Sequence, residues 1–76
     1  MNLTELKQGE RGKILKITGD KMLKQRLMTM GFTQNETVKV DKFAPLGDPV
    51  EYVIKNYHIS LRKSEAKFIE VEKVEL

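Results

Sequence analysis

The sequence predicts a mostly β fold: a small barrel of about five strands with one α-helix inserted and a short helical turn before the last strand. Three observations lead there. Five short runs are rich in β-branched residues or alternate apolar with polar positions. A single stretch, between the first two long runs, switches to helical period. No internal repeat, low-complexity tract or linker interrupts them. So many strands in 76 residues favour a barrel, because closure hides the edges that an open sheet would expose.

The elements follow in order. Leu3, Leu6 and a turn around Gly9 and Gly12 lead into Lys13-Ile14-Leu15-Lys16-Ile17-Thr18, a strand that Gly19-Asp20 ends. Asp20 is a good helix N-cap. From Lys21 to Met30, Leu23, Leu27 and Met30 fall at i, i+4 and i+7, one apolar stripe with Arg26 off it. Gly31 stands where a left-handed C-cap is expected, and Phe32 supplies the apolar contact that accompanies one. Thr37-Val38-Lys39-Val40-Asp41 alternates as a half-buried strand. Val50 to Lys55 is the next strand, Asn56-Tyr57 its hairpin corner, and Tyr57, Ile59 and Leu61 alternate with His58, Ser60 and Arg62 in the strand after it. Arg62 to Lys67 breaks the alternation with helix formers and reads as one helical turn. Phe68 to Glu72 closes the chain with Ile69 and Val71 on one face. The inserted helix would plug one end of the barrel. A helical turn before the final strand is typical of an SH3-like barrel, and an OB-like barrel satisfies the same spacing.

Between two of the strands lies Phe43-Ala44-Pro45-Leu46-Gly47-Asp48-Pro49-Val50. Each proline fixes its own φ and pushes the preceding residue toward extended geometry, so Ala44 and Asp48 are restrained as well. Gly47 is the position free to take positive φ. Neither proline can donate to a ladder, so the loop belongs on the surface. A stiff loop with Leu46 at its tip suits recognition; the plainer alternative folds Leu46 back onto the core.

A chain of this size is one domain and buries only about 60% of the surface its unfolded form exposes, so most apolar side chains must serve the core. There is no cysteine, hence neither a disulfide framework nor thiolate zinc ligation. No apolar run approaches the roughly 18 residues of a membrane span, and the N-terminus lacks the pattern of a signal peptide. A cytoplasmic location is expected. The formal charge is +3, with seven Lys or Arg against three acidic residues in positions 1–31 and the balance reversed in positions 64–76. Such polarity can steer association but falls short of the dense basic stripe of a dedicated nucleic-acid binder.

Reactive chemistry is sparse. His58 is the only histidine, and its strand pattern puts it on a polar face as a solvated residue. No phosphate-binding glycine loop is present, and Gly9-Glu10-Arg11-Gly12 matches the G-x-x-G of an RNA clamp too weakly to displace the turn reading. Asp41, Asp48 and Glu51 lie close along the chain and could meet a hard cation across the loop mouth, but three carboxylates among 11 acidic residues arise readily by chance. Neither a metal site nor a cofactor is expected, and no catalytic residue is assigned. Met22, Met28 and Met30 make the helix methionine-rich, a trait of adaptable binding surfaces. Arg26 and Glu65 are expected to pair, joining the helix to the late turn.

Taken together, Leu3 to Leu6, Gly9, Gly12, Ile14, Ile17, Gly19, Leu23, Arg26-Leu27, Met30-Gly31-Phe32, Val38, Val40, Ala44 to Val50, Leu61-Arg62, Glu65-Ala66, Ile69 and Val71 resemble the FeoA family of bacterial ferrous-iron uptake. The likeness covers nearly the whole chain. It implies an SH3-like domain over residues 1–76, standing alone, and a non-catalytic regulatory role. The implied partner is FeoB, the membrane ferrous transporter with a cytoplasmic GTPase domain. Where many members carry glycine, this chain has Asn35 and Asn56, which tolerate left-handed geometry. On that reading the contact surface is Pro45, Leu46, Gly47, Asp48 and Pro49 with Leu46 as anchor, plus Arg26 and Met28 on the outer face of the helix, with Arg62 as a secondary candidate. Weak self-association is left open by the apolar loop and the β edges. Two other classes remain: a nucleic-acid-binding barrel using the basic half with Phe43, Tyr52 and Tyr57, and a transition-metal-binding regulatory module.

Overall fold

In the computed structural model, which describes residues 1–75, the chain forms one antiparallel sheet with two helices. A single 3₁₀ turn, Leu3–Glu5, precedes β1 (Arg11–Ile17). Then come α1 (Lys21–Thr29), β2 (Thr37–Phe43), β3 (Val50–Ile54), β4 (Tyr57–Leu61), α2 (Lys63–Ala66) and β5 (Ile69–Val74). The strand order is β4-β3-β2-β1-β5.

The expected helix is found, one residue shorter, and it starts and stops as its sequence dictates. The Asp20 carboxylate accepts from the Leu23 N–H at 2.8 Å, and Gly31 takes φ +113° just past the last turn. There the Gly31 and Phe32 N–H groups return to the carbonyls of Met28 and Leu27, which satisfies helix-end acceptors. Phe32 is fully buried and meets Tyr52 edge-on, with ring centroids 6.4 Å apart. Leu27 is buried, while Leu23 and Met30 pack at the margin of the core, so the apolar stripe is real but shallow.

One core holds the molecule together. Ile14, Val38, Val40, Val50, Tyr52, Ile54, Leu61, Ile69 and Val71 from the five strands join Leu3, Leu6, Leu27, Phe32 and Ala66. A flat sheet could not enclose such a cluster. Two register shifts bend it, one between Ile14 and Lys16 against β5 and one between Val40 and Lys42 against β3. Each inserts one residue, Leu15 or Asp41, and a bulge of this kind kinks the strand and raises its twist. The result is barrel-like, but the ladder does not close: β4 and β5 remain its edges. Part of the β5 edge is covered by the N-terminal segment. Asn2 bridges to Glu70, and the Val71 N–H donates to the Met1 carbonyl at 2.8 Å.

Other expectations need correcting. Gly12 is not in a turn; it is buried within β1, which begins two residues earlier than its β-branched run suggests. A Cβ there would lie 3.0 Å from both Leu6 Cδ1 and Val71 Cβ, so the glycine answers to close packing. The hairpin corner is Lys55-Asn56 rather than Asn56-Tyr57. Both residues take positive φ, +50° and +69°, as a two-residue turn of the hairpin type requires. Asn35, at +73°, is the other left-handed asparagine. β5 lies one to two residues later than expected and runs to Val74. Among the described residues, no helix is long and apolar enough to cross a membrane.

Candidate functional site

The β2–β3 loop is fastened at its base and bare at its tip. The Ala44 N–H donates to the Pro49 carbonyl at 3.0 Å and the Gly47 N–H to the Ala44 carbonyl at 2.7 Å. Gly47 uses its freedom, with φ +92°, and the Asp48–Pro49 peptide is cis. Leu46 is 97% exposed, so it does not fold back onto the core. Pro45 and Pro49 are exposed on either side of it.

A second anchorage ties the loop to α2. The Asp48 carboxylate accepts from the Lys63 N–H at 2.9 Å, taking one of the unpaired donors at the start of that helix. The Lys63 ammonium sits 5.6 Å from the centre of the Phe43 ring, at the loop's other end. Asp48 therefore has a structural task of its own. α2 is tied in turn to α1 through Glu65. One Glu65 oxygen accepts from the Arg62 N–H at 3.3 Å, and the other pairs with the Arg26 guanidinium, as the sequence led us to expect. Loop, α2 and the Arg26 side of α1 thus form one connected frame. Arg62 is exposed at the head of α2.

Met28 stands apart from that frame. Two residues along a helix turn the side chain by about 200°, so Met28 and Arg26 point to opposite flanks. Met28 instead borders a hollow with Ile14, Lys24 and Phe32. Met22, 82% exposed, shares the Arg26 flank. Alternation puts Tyr57 on the side of Ile59 and Leu61, and by register it lies opposite Ile54. At the hairpin end it reaches beyond the core layer, and it is 68% exposed. With Met30, Gly31, Ile54 and Ile59 it borders an open hollow of about 510 Å³ between β4 and the end of α1. Strand alternation alone could not have found this, since it gives direction without depth. Tyr52 is lost to the nucleic-acid reading: it is buried, and burial together with the Asp48 charge pushes its phenol up to about 12.

The outer face of the sheet holds the one titratable cluster with metal-ligand chemistry among the described residues. His58 is exposed, as expected, but not alone. Its Nδ1 is 2.8 Å from Glu51 Oε2 and 3.6 Å from Asp41 Oδ2. Asp48, grouped with Asp41 and Glu51 from sequence proximity, lies with α2 instead.

Comparison with known proteins agrees with this architecture. A family model described as the FeoA domain matches residues 1–73. The chain is 42% identical over 72 residues to a Fe(2+) transport protein A/Fe(2+) transporter FeoB fusion protein of Porphyromonas gingivalis. That match takes in 95% of the chain but spans only 8% of the fusion protein's length. The solution structure of iron(II) transport protein A from Clostridium thermocellum superposes with a TM-score of 0.91 at 40% identity, over 97% of this chain and 46% of that one. A zinc-complexed FeoA from Stenotrophomonas maltophilia, described as a prokaryotic SH3 domain protein, superposes with a TM-score of 0.82 at 26% identity, over 95% and 89% of the two chains. The small barrel-like fold is thus SH3-like rather than OB-like.

Proposed function

The chain belongs to the FeoA family of Fe(2+) transport, and on that premise we propose that it is a non-catalytic accessory protein that acts by docking on the cytoplasmic side of a FeoB-type ferrous transporter. The observation that carries this reading is the Porphyromonas relative, which holds a similar domain and FeoB in one polypeptide. Covalent linkage keeps two modules at millimolar effective concentration. Productive docking still needs a contact surface on the domain itself.

The frame built from the Pro45–Pro49 loop, α2 and the Arg26 flank of α1 suits that need. Leu46 is the anchor, and its neighbours are already held in place, so little conformational entropy is lost on binding. Burying one leucine contributes about 1.5–3 kcal/mol, or roughly 10- to 100-fold in affinity. Arg26 enters the surface with its guanidinium already engaged by Glu65, so it contributes mainly shape there.

The test uses the untagged chain and a FeoB-type transporter in lipid nanodiscs, alongside iron uptake in cells lacking their own copy. Leu46→Asp is expected to keep the melting temperature, weaken docking by about 10-fold or more, and lower uptake. Uptake and docking at wild-type level in that variant would remove the loop from the contact surface.

A further inference from the structure

We infer that Asp41, Glu51 and His58 form an open, solvent-facing site for a first-row divalent transition cation on the outer face of the sheet. The three come from adjacent strands, β2, β3 and β4, and one ligating atom of each lies within 4.8 Å of the others. The sheet's own geometry brings them together. Glu51 pairs with Ser60, so His58 is its diagonal neighbour on β4, within reach of a glutamate side chain. Asp41 is the extra residue of the β2 bulge, between the Val40–Tyr52 and Lys42–Glu51 pairs. A bulge re-aims a side chain and is overrepresented at functional sites. Here it adds a carboxylate beside the one that Glu51 already offers.

The donor set selects the ion class. Transition-metal bonds to imidazole nitrogen or carboxylate oxygen are about 2.0–2.2 Å, so neighbouring ligand atoms stand roughly 3–3.5 Å apart around one ion. The pairs at 2.8 Å and 3.6 Å already bracket that spacing. Two carboxylates balance the ion's double charge. The imidazole favours Zn, Co, Ni or Fe(II) over Mg and Ca, which prefer oxygen. Three protein ligands leave the remaining positions to water. Asp41 and Glu51 are half-buried and His58 is exposed, so the ion keeps solvent contact and exchanges readily. Without an ion, the hydrogen bond between His58 and Glu51 holds the ligands in register.

The experiment is a Co²⁺ titration of the untagged chain in a non-coordinating buffer, followed by visible absorption and calorimetry. One equivalent is expected to bind, with Zn²⁺ displacing it and millimolar Mg²⁺ leaving it in place. His58→Ala and Glu51→Gln are each expected to lower the affinity about tenfold or more, since disturbing even an outer-shell partner of a metal ligand costs 10- to 100-fold. The Glu51 variant leaves β4 unaltered and so guards against a folding defect in the first. Wild-type Co²⁺ affinity in both variants, displacement by Mg²⁺, or no binding up to millimolar Co²⁺ would each overturn the site. No transporter enters the assay, so failure here leaves the docking proposal untouched, and the reverse also holds.

Discussion

Glu65 is expected to carry more stability than its half-exposed place on one turn of helix suggests. One of its oxygens accepts the Arg62 N–H at the start of α2 and the other meets Arg26 on α1. Arg62 stands at the N-cap, and its own side chain has no acceptor to offer. Losing the N3 carboxylate that accepts the N-cap N–H costs about 1 kcal/mol. The ion pair, 58% exposed on the arginine side and 22% on the glutamate, adds about 0.3–1 kcal/mol, discounted for solvent. Glu65→Ala should therefore cost about 1–2 kcal/mol, or roughly 5–15 °C for a domain of this size. Arg26→Ala should cost about 0.5 kcal/mol. Glu65→Gln keeps an acceptor and loses the charge, so it should fall between the two. Urea unfolding of both single variants and the double variant closes a cycle. The double variant should be no less stable than Glu65→Ala by itself, within about 0.3 kcal/mol. Strict additivity would refute the Arg26 contact, and equal losses in Glu65→Gln and Glu65→Ala would refute the capping share. Because Asp48 ties the Pro45–Pro49 loop to the same turn at Lys63, Glu65→Ala should also weaken the proposed docking, without touching Leu46.

Other outcomes follow from single features. Gly12→Ala forces a Cβ to 3.0 Å from Leu6 and Val71; overpacking of that kind costs about 1–3 kcal/mol, readable by thermal melting, and an unchanged midpoint would contradict the packing. Lys55→Asn relieves a lysine held at φ +50°, a conformation that disfavours side chains other than Gly, Asn or Asp by about 1 kcal/mol. It forfeits an exposed pair with Glu36 at 3.4 Å, worth at most a few tenths, so a rise of a few degrees in melting temperature is expected. In the Tyr57→Phe variant the remaining phenol should ionise only near pH 12, because burial first and the Asp48 charge second raise Tyr52. Its folded value lies above the unfolded one of about 10, so its stabilising share is intact below pH 10 and is lost as pH climbs toward 12. Near-ultraviolet phenolate absorption measures it, and complete ionisation by pH 11 would contradict the burial.

Legibility in the sequence tracked how local each signal was. The Asp20 cap, the Leu23–Leu27–Met30 stripe and the Gly31 stop act within a few residues of themselves, and α1 appears where they place it. The two prolines and Gly47 likewise make an outward loop from local dihedral limits, and Leu46 stands at its tip. Gly12 misled because a glycine held by packing looks the same, in one dimension, as a glycine held by a turn. For Tyr57, alternation gives the side chain's direction but not whether core lies beneath it.

Periodicity, cap residues and the proline frame determined by themselves that this chain is a set of short strands with one helix and a stiff exposed loop. These are preferences of neighbouring residues, so they survive without knowledge of the fold. Only the tertiary structure decided that the ladder bends at Leu15 and Asp41 instead of closing, that Asp48 serves α2, and that His58 joins Asp41 and Glu51 across three strands. Each of those depends on which strands lie side by side and in what register. A single residue's shift in register turns every side chain of a strand to the other face, and no residue's own chemistry sets it.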